Sequence, residues 1–272
     1  MGFKNGIVIV AAAAAGVFAQ GSWLGGASGL SPSCQKALND AINGPGMACL
    51  DLRGPVDFLE TQGINESLIP PVNSWLSSIC SQPACTNATI DAVVSTITSG
   101  CRADLAQDNV TDAEVGTVVG YIKTYYAVAR EVVCLKDSNA SNQFCITDTL
   151  KRFEDQTGAP LTPNSLVNLR RSGFTLNSVM TKNVICTDCI KAMWNILKPH
   201  ISSDDRAETE SDIDGTCGSG FANSPTPASI QNTANPANQA SSNSQNGGTT
   251  STSVFDSMMS IALGAVGVFS LL

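Results

Sequence analysis

Ten cysteines, all between residues 34 and 217, constrain the fold of this 272-residue chain more than any other feature. An even number of cysteines in a chain with secretory signals predicts complete pairing, here into five disulfides. Each disulfide contributes about 2–4 kcal/mol, so five together match the net stability of a typical domain. Spacing alone does not fix the pairing, although Cys134 and Cys145 can form a local bridge across a short loop. The ten are Cys34, Cys49, Cys80, Cys85, Cys101, Cys134, Cys145, Cys186, Cys189 and Cys217.

The first 19 residues have the pattern of a secretory signal peptide. Lys4 supplies a positive charge, the apolar run Ile7–Phe18 follows, and the small residue Ala19 stands at the expected cleavage site. The alternative, an N-terminal membrane helix, needs about 20 apolar residues, and the run breaks at Gln20. We therefore expect residues 1–19 to be removed.

The C-terminal segment Met258–Leu272 is apolar and uncharged but too short to be an ordinary membrane span. The polar spacer Thr249–Ser257 precedes it, and small residues precede the spacer. This order is typical of a glycosylphosphatidylinositol (GPI) attachment signal, of which residues 247–272 would be the removed propeptide. The predicted lipid attachment residue is Asn246, with Gly247 and Ser244 as alternatives.

The formal net charge of −8 argues against a nucleic-acid partner, because such a partner requires a basic stripe and the sequence has none. Six carboxylates cluster between residues 204 and 214, with Arg206 as the single basic residue among them. This acidic run is interpreted as a solvated loop. Its end, Asp212–Gly215, resembles part of a calcium loop but lacks the remaining ligands, so no metal site is expected.

Apolar residues recur with helical spacing along most of the region between the signals. The spacing predicts a helix from Val72 to Cys80 and a second from Ile90 to Leu105. Thr111 and Glu114 form a capping box, which predicts a long helix running to Cys134. Further helices are predicted over Ser33–Ile42, Asn142–Gln156 and Thr187–His200. The expected fold is therefore all-α, with about six or seven helices cross-linked by disulfides.

The composition changes at Gly218, after which Ser, Thr, Asn, Pro, Gly, Gln and Ala dominate. Such a segment buries too little apolar surface to offset its ordering entropy, so it is expected to be disordered. The predicted layout has a signal peptide, an extension, a cysteine-rich helical domain, a stalk rich in Ser, Thr and Asn, and an anchor propeptide. Their expected bounds are 1–19, 20–30, 31–217, 218–246 and 247–272.

Four N-glycosylation sequons lie in the predicted helical domain, each in an expected loop or helix start. Surface loops and helix starts are where a glycan can point to solvent. The acceptor residues are Asn65, Asn87, Asn109 and Asn139. Thr111 belongs both to the third sequon and to the predicted capping box.

Two features with catalytic counterparts are interpreted as structural. Cys186 and Cys189 form a C-x-x-C at a helix start, but no βαβ pattern surrounds them and eight other cysteines can pair with them. They are expected to belong to two structural disulfides rather than to a redox centre or a zinc site. His200 is the single histidine, and no Gly-x-Ser-x-Gly motif accompanies it, so it is interpreted as a helix C-terminal residue. No catalytic, cofactor-binding or metal site is expected.

All three tyrosines share the long predicted helix. Tyr121 and Tyr125 are four residues apart, on a face next to the apolar stripe that contains Tyr126. They can form an aromatic platform for a sugar or peptide, or complete the rim of the core. The second interpretation is favoured.

The segments Trp75–Leu105, Val132–Leu150 and Ile185–Trp194 resemble a family of uncharacterised, cysteine-rich, GPI-anchored proteins secreted by fungi. The resemblance covers most of residues 34–217 and is carried by cysteine spacing and flanking residues. It implies a signal peptide, a helical domain, a serine-rich tail and an anchor signal, and it implies no reaction. The spacing differs from that of the fungal haem-binding domain with eight cysteines.

The sequence favours a non-enzymatic protein held at the cell surface or in the cell wall by a GPI lipid, with a structural, adhesive or ligand-displaying role. Its expected partners are the membrane, through that lipid, and cell-wall polysaccharide or other surface proteins. The alternative is a surface enzyme or carrier that acts on wall glycan or on a small apolar ligand held between helices.

Overall fold

The computed structural model describes residues 30–44, 48–51, 53–54, 65–107, 109–165 and 181–235. The predicted signal peptide, the residues after 235 and the predicted anchor residues Ser244, Asn246 and Gly247 lie outside the described residues. The all-α, disulfide-stabilised fold predicted from the sequence is confirmed. Among the described helices, none combines the length and apolar character that crossing a bilayer requires.

Nine α-helices have both ends in the described residues, more than the six or seven expected, because short helices and an acidic helix add to the predicted set. They are α1 (Pro32–Asn43), α2 (Ile69–Ser81), α3 (Asn87–Gly100), α4 (Arg102–Gln107), α5 (Asp112–Val133), α6 (Cys145–Thr157), α7 (Lys182–Ile185), α8 (Asp188–Leu197) and α9 (Ser203–Cys217). A 3₁₀ helix (Lys198–His200) follows α8, and the strands are β1 (Leu135–Asp137), β2 (Gln143–Phe144) and β3 (Ile230–Asn232).

Side-chain caps set the starts of several helices. The Thr111 hydroxyl accepts the N–H of Glu114, whose carboxylate accepts the Thr111 N–H at 2.8 Å, so the predicted capping box begins α5. At the starts of α3 and α8, the Thr86 and Thr187 hydroxyls each accept a single backbone N–H, from Thr89 and Ile190. These local hydrogen bonds satisfy backbone N–H groups that a helix start leaves without partners.

The predicted helix from residue 90 to residue 105 is interrupted. Helix α3 ends at Gly100 and α4 begins at Arg102, so the single residue Cys101 separates them. The apolar spacing continues across this break, which is why the sequence did not reveal it. Cys101 is buried and bonded to Cys34 of α1, so the disulfide lies at the junction of the two helices.

The main core lies between α2, the C-terminal half of α5, the strands, α6 and α8. Its fully buried side chains include Leu68, Val72, Leu76, Val132, Phe144, Ile146 and Leu150. Two smaller clusters flank it. One contains Trp194, Ile213 and Ala222, and the other contains Leu30 beside the Cys34–Cys101 disulfide.

The five disulfides form two interlocked groups. Residues 34–134 contain Cys34–Cys101, Cys49–Cys85 and Cys80–Cys134, and residues 145–217 contain Cys145–Cys189 and Cys186–Cys217. The predicted local bridge between Cys134 and Cys145 is wrong. The β1–β2 hairpin separates these two cysteines, and each is bonded to a different helix. No disulfide in this set joins one group to the other.

The acidic run is a helix rather than the solvated loop expected. Ser202 caps α9 by accepting the N–H of Asp205, and Ile213 lies 1% exposed in the cluster with Trp194. The carboxylates of Asp204, Glu208 and Asp212 recur every four residues on the exposed side. The helix was missed because a single apolar residue, Ile213, anchors it, so its sequence has no apolar stripe.

Residues 218–235 are folded, whereas the sequence predicted a disordered stalk from residue 218. Strand β3 pairs antiparallel with β1, opposing Ile230 to Asp137, and β1 also pairs with β2 to give the sheet order β2-β1-β3. Ala222 and Ile230 are buried. The Cys134 carbonyl accepts the Thr233 N–H at 3.0 Å, and the Cys80 carbonyl accepts the Asn235 N–H at 3.0 Å. The folded region therefore extends at least to residue 235.

Because β3 belongs to the fold, truncation after Asn235 should be tolerated and truncation after Cys217 should not. Fragments 20–235 and 20–217 contain the same ten cysteines. Loss of Ile230 burial alone should destabilise the shorter fragment by about 1.5–3 kcal/mol. Urea unfolding of both fragments measures this difference. Equal midpoints would contradict a structural role for residues 218–235.

Two glycines on neighbouring helices should respond oppositely to alanine. A Cβ on Gly100 would lie 2.1 Å from the Cβ of Ala37, where α1 crosses α3, whereas one on Gly120 meets no described atom within 4 Å. Gly120→Ala should therefore stabilise α5 by about 0.5–1 kcal/mol. Gly100→Ala should destabilise by about 1–3 kcal/mol through overpacking. Thermal unfolding checks both, and changes of the same sign would refute the close helix crossing.

Candidate functional site

The four sequon asparagines are the first candidate sites, and all four are exposed. Asn65 precedes α2, Asn87 is the first residue of α3, Asn109 precedes α5, and Asn139 lies in the turn between β1 and β2. Each position leaves room for a glycan on the solvent side of the chain.

The backbone around two of the sequons is sharply turned. Asn109 has φ of 58°, and Ser141, the hydroxyl residue of the Asn139 sequon, has φ of 56°. Asn139 also donates its N–H to the carboxylate of Asp137 at 2.9 Å, which closes the hairpin turn. None of these side chains is buried, so their replacement should leave the core intact, although a residue other than glycine at position 109 is strained by the left-handed backbone.

The sequons are unevenly distributed over the two disulfide groups. Three precede Cys134 and the fourth lies in the hairpin after it, while residues 145–217 contain none. Helices α6 to α9 thus form a protein surface without a glycosylation acceptor. The exposed side of α9 makes that surface acidic.

The described chain ends beside a disulfide. Asn235 donates its backbone N–H to Cys80 and its side-chain amide to the carbonyl of Ser81 at 3.1 Å. Its neighbour Thr233 bonds to Cys134, the partner of Cys80. Asn235 therefore lies where α2 and α5 both end.

The C-x-x-C motif is divided between two disulfides. Cys186 is bonded to Cys217, and Cys189 is bonded to Cys145, so the interpretation as two structural disulfides is confirmed. Cys145 and Cys189 are at most 1% exposed, whereas Cys186 and Cys217 are both half-buried.

The three tyrosines have different environments. The hydroxyl of Tyr126 accepts the N–H of Cys85 at 3.0 Å, which ties α5 to the Cys49–Cys85 disulfide. Tyr121 and Tyr125 stack on each other, with ring centroids 6.1 Å apart and an interplanar angle of 17°. Both are half-buried, on a stretch of α5 in which no residue before Val128 is buried. The pair therefore forms a partly accessible aromatic surface.

His200 is the last residue of the 3₁₀ helix that follows α8. Its position at the end of a helical segment agrees with the sequence interpretation. It is half-buried, and the next residue, Ile201, packs against the cluster of Trp194 and Ile213.

Two carboxylates near helix starts are held by hydrogen bonds. The N–H and hydroxyl of Thr111 lower the pKa of Glu114. At Asp104, partial desolvation raises the pKa. Hydrogen bonds from the hydroxyl and N–H of Ser31, at 2.6 and 2.7 Å, outweigh it and hold the pKa of Asp104 below its ordinary value. Both carboxylates therefore fix local structure.

Asp214, from the segment that resembles part of a calcium loop, binds backbone groups. Its carboxylate accepts the N–H groups of Ala222 and Gly220, each at 2.8 Å, and these bonds lower the pKa of Asp214. The contact closes the loop between α9 and β3. Within the described residues, no group of three or more His, Cys, Asp or Glu side chains is arranged to hold a metal ion.

No protein-family model, curated protein or solved structure matches this chain. Membership of the fungal family therefore stays a prediction from the cysteine spacing. The candidate sites rest on the geometry described above.

Asp214 should make the fold sensitive to acid. Its folded-state pKa is lowered, so its contribution is present above the unfolded pKa of about 3.9 and is lost as the pH falls through the folded pKa. Asp214→Asn keeps an acceptor oxygen but removes the titration. The variant should lose less stability than the native protein between pH 7 and pH 3 in urea unfolding. Asp204→Asn, on the exposed first turn of the same helix, is the control, and identical pH profiles for native protein and Asp214→Asn would contradict this role.

Proposed function

We propose that this protein is a non-enzymatic, GPI-anchored protein of the cell surface or cell wall, with a structural, adhesive or ligand-displaying domain. The observation that carries the proposal is the complete pairing of the ten cysteines into five disulfides. Stable disulfides of this density are typical of extracellular proteins. The secretory signal predicted over residues 1–19 and the anchor signal predicted over residues 247–272 agree with that location.

The position of Asn235 supports attachment through the C-terminal tail. The tail departs from a point fixed by hydrogen bonds to Cys80 and Ser81. Residues 236–246, if fully extended, reach at most about 40 Å to the proposed lipid on Asn246. In this proposal the domain is held close to its membrane or wall attachment, with the ends of α2 and α5 nearest to it.

The proposal includes N-glycans at the exposed Asn65, Asn87, Asn109 and Asn139. It also places the chain in the family of cysteine-rich, GPI-anchored fungal proteins that the sequence resembles. The glycans would cover the first disulfide group and leave α6 to α9 bare.

Ligand display is favoured over a purely structural role by one observation. The stacked rings of Tyr121 and Tyr125 are half-buried on a stretch of α5 that contributes nothing to the buried core before Val128. Aromatic faces of this kind stack on sugar rings. We propose wall polysaccharide as the ligand of this surface.

The anchor is tested by enzymatic release. Phosphatidylinositol-specific phospholipase should release the native protein from intact membranes. Val266→Asp should abolish surface delivery, because a charge within the apolar tail costs about 2.5–3.5 kcal/mol, whereas Val266→Leu should preserve it. Mass spectrometry of the released protein should find no peptide beyond Asn246. Recovery of Ser260–Leu272 from the surface protein would refute the anchor.

Binding of wall polysaccharide to the tyrosine surface is tested by pulling down the folded domain with insoluble wall polysaccharide. Tyr121→Ala and Tyr125→Ala should each reduce the bound fraction, because each removes one ring of the stacked pair. Ile122→Ala, one position away on the same helix and 40% exposed, is the matched control. Equal binding by all three variants and the native domain would exclude the tyrosine surface as the binding site.

A further inference from the structure

Asn43 is the last residue of α1, and the chain leaves the helix at the next residue, Gly44. Gly44 precedes Pro45 in the sequence, and a residue before proline avoids the helical conformation. Gly44 accordingly has an extended backbone, with φ of −68° and ψ of 147°. Asn43 is exposed, and among the asparagines that the structure describes it is the one followed by glycine. Its side-chain amide therefore adjoins a peptide nitrogen that no Cβ shields.

The end of α1 also differs from other helix ends in its backbone hydrogen bonds. After α3, α5, α6 and α9, the N–H of the next residue donates to the carbonyl four residues earlier. The N–H of Gly44 makes no such bond to a described residue. A peptide nitrogen whose N–H is not held by a carbonyl is free to give its proton to solvent and to act as a nucleophile.

The amide of Asn43 is held in one orientation. Its Nδ2 donates to the backbone carbonyl and to the side-chain oxygen of Asn39, each at 2.9 Å, and its Oδ1 accepts from the guanidinium of Arg53. The donors and acceptors thus identify Oδ1 as the atom that faces the cation. A guanidinium at this oxygen makes Cγ more electrophilic and stabilises negative charge that develops on Oδ1 when a nucleophile adds.

We propose that Asn43 is a site of intramolecular deamidation, in which Gly44 supplies the nucleophile and Arg53 stabilises the oxyanion. The backbone nitrogen of Gly44 gives its proton to solvent and attacks Cγ of Asn43, which closes a five-membered ring. The Cγ–Nδ2 bond then breaks, and Nδ2 takes up protons from solvent and leaves as ammonia. Water opens the resulting succinimide to aspartate or isoaspartate at position 43. One water is consumed and one ammonia is released, so no other reactant is required.

The folded domain accommodates the product. A carboxylate at position 43 lies beside Arg53, so a hydrogen bond to a neutral amide becomes an exposed ion pair. The buried side of α1 consists of Cys34, Ala37 and Ala41, none of which takes part in the reaction. The deamidation is thus a modification of the native protein that adds one negative charge at the end of α1.

The test incubates the native, full-length protein at mildly alkaline pH and follows each asparagine by peptide mapping, with aspartate and isoaspartate peptides separated by chromatography. Asn43 should convert before any other asparagine between residues 30 and 235. Gly44→Ala should slow its conversion several-fold, because a Cβ then stands beside the attacking nitrogen. Earlier conversion of another asparagine in that range, or an unchanged rate in Gly44→Ala, would overturn the proposal.

A second variant separates the contribution of the fold from that of the Asn-Gly sequence. Arg53→Ala should slow the conversion of Asn43 several-fold in the folded protein, and it should have no effect after reduction and unfolding in urea, where the contact between the two side chains is lost. Lys36→Ala is the matched control, because it removes an exposed cation of α1 that pairs with Asp40 instead. Equal rates for folded native protein and folded Arg53→Ala, or equal slowing by Lys36→Ala, would contradict the proposal.

Discussion

The fold depends on the Cys80–Cys134 disulfide and on the backbone carbonyls of its two cysteines. The disulfide is nearly inaccessible, since Cys80 is 3% exposed and Cys134 is 0% exposed, and it joins the C-terminal turn of α2 to the end of α5. Arg130, one turn before Cys134, is buried and donates to the carbonyl of Gln82, where its charge stabilises the C-terminal end of α2. The backbone carbonyls of Cys80 and Cys134 also accept the N–H groups of Asn235 and Thr233, which lie at the end of the described chain.

That arrangement explains how two separately cross-linked regions form one domain. Residues 34–134 and residues 145–217 each have their own interlocked disulfides, and none of the five crosses the hairpin between them. Residues 218–235 leave the second region at Cys217, pair with β1 of the hairpin, and then bond to Cys134 and Cys80 of the first region. This segment therefore connects the two regions through noncovalent contacts. These contacts add to the packing of α8 against β1 and α5 in the main core.

The sequence predicted most of the helices, because their apolar spacing and caps are local signals. Thr111 and Glu114 identified the start of α5, and exposure of the sequon asparagines followed from their places at helix starts and turns. Helix α9 and strand β3 were missed because Ile213 and Ile230 are isolated apolar residues whose partners are distant in sequence. The pairing of Cys134 was likewise nonlocal, since the hairpin carries Cys145 away from it and toward α8. The sequence signal for β3 was weak. It consisted of two large apolar side chains, Phe221 and Ile230, in a stretch otherwise rich in Ser and Asn.

Disulfide mapping of the native protein tests the central claim, that the five disulfides form two interlocked groups with no disulfide between them. The native protein would be digested without reduction at acidic pH, where thiolate exchange is suppressed, and its linked peptides identified by mass spectrometry. The account predicts Cys34–Cys101, Cys49–Cys85, Cys80–Cys134, Cys145–Cys189 and Cys186–Cys217, with no linkage between residues 34–134 and residues 145–217. A Cys134–Cys145 or Cys186–Cys189 peptide in the native protein would contradict it.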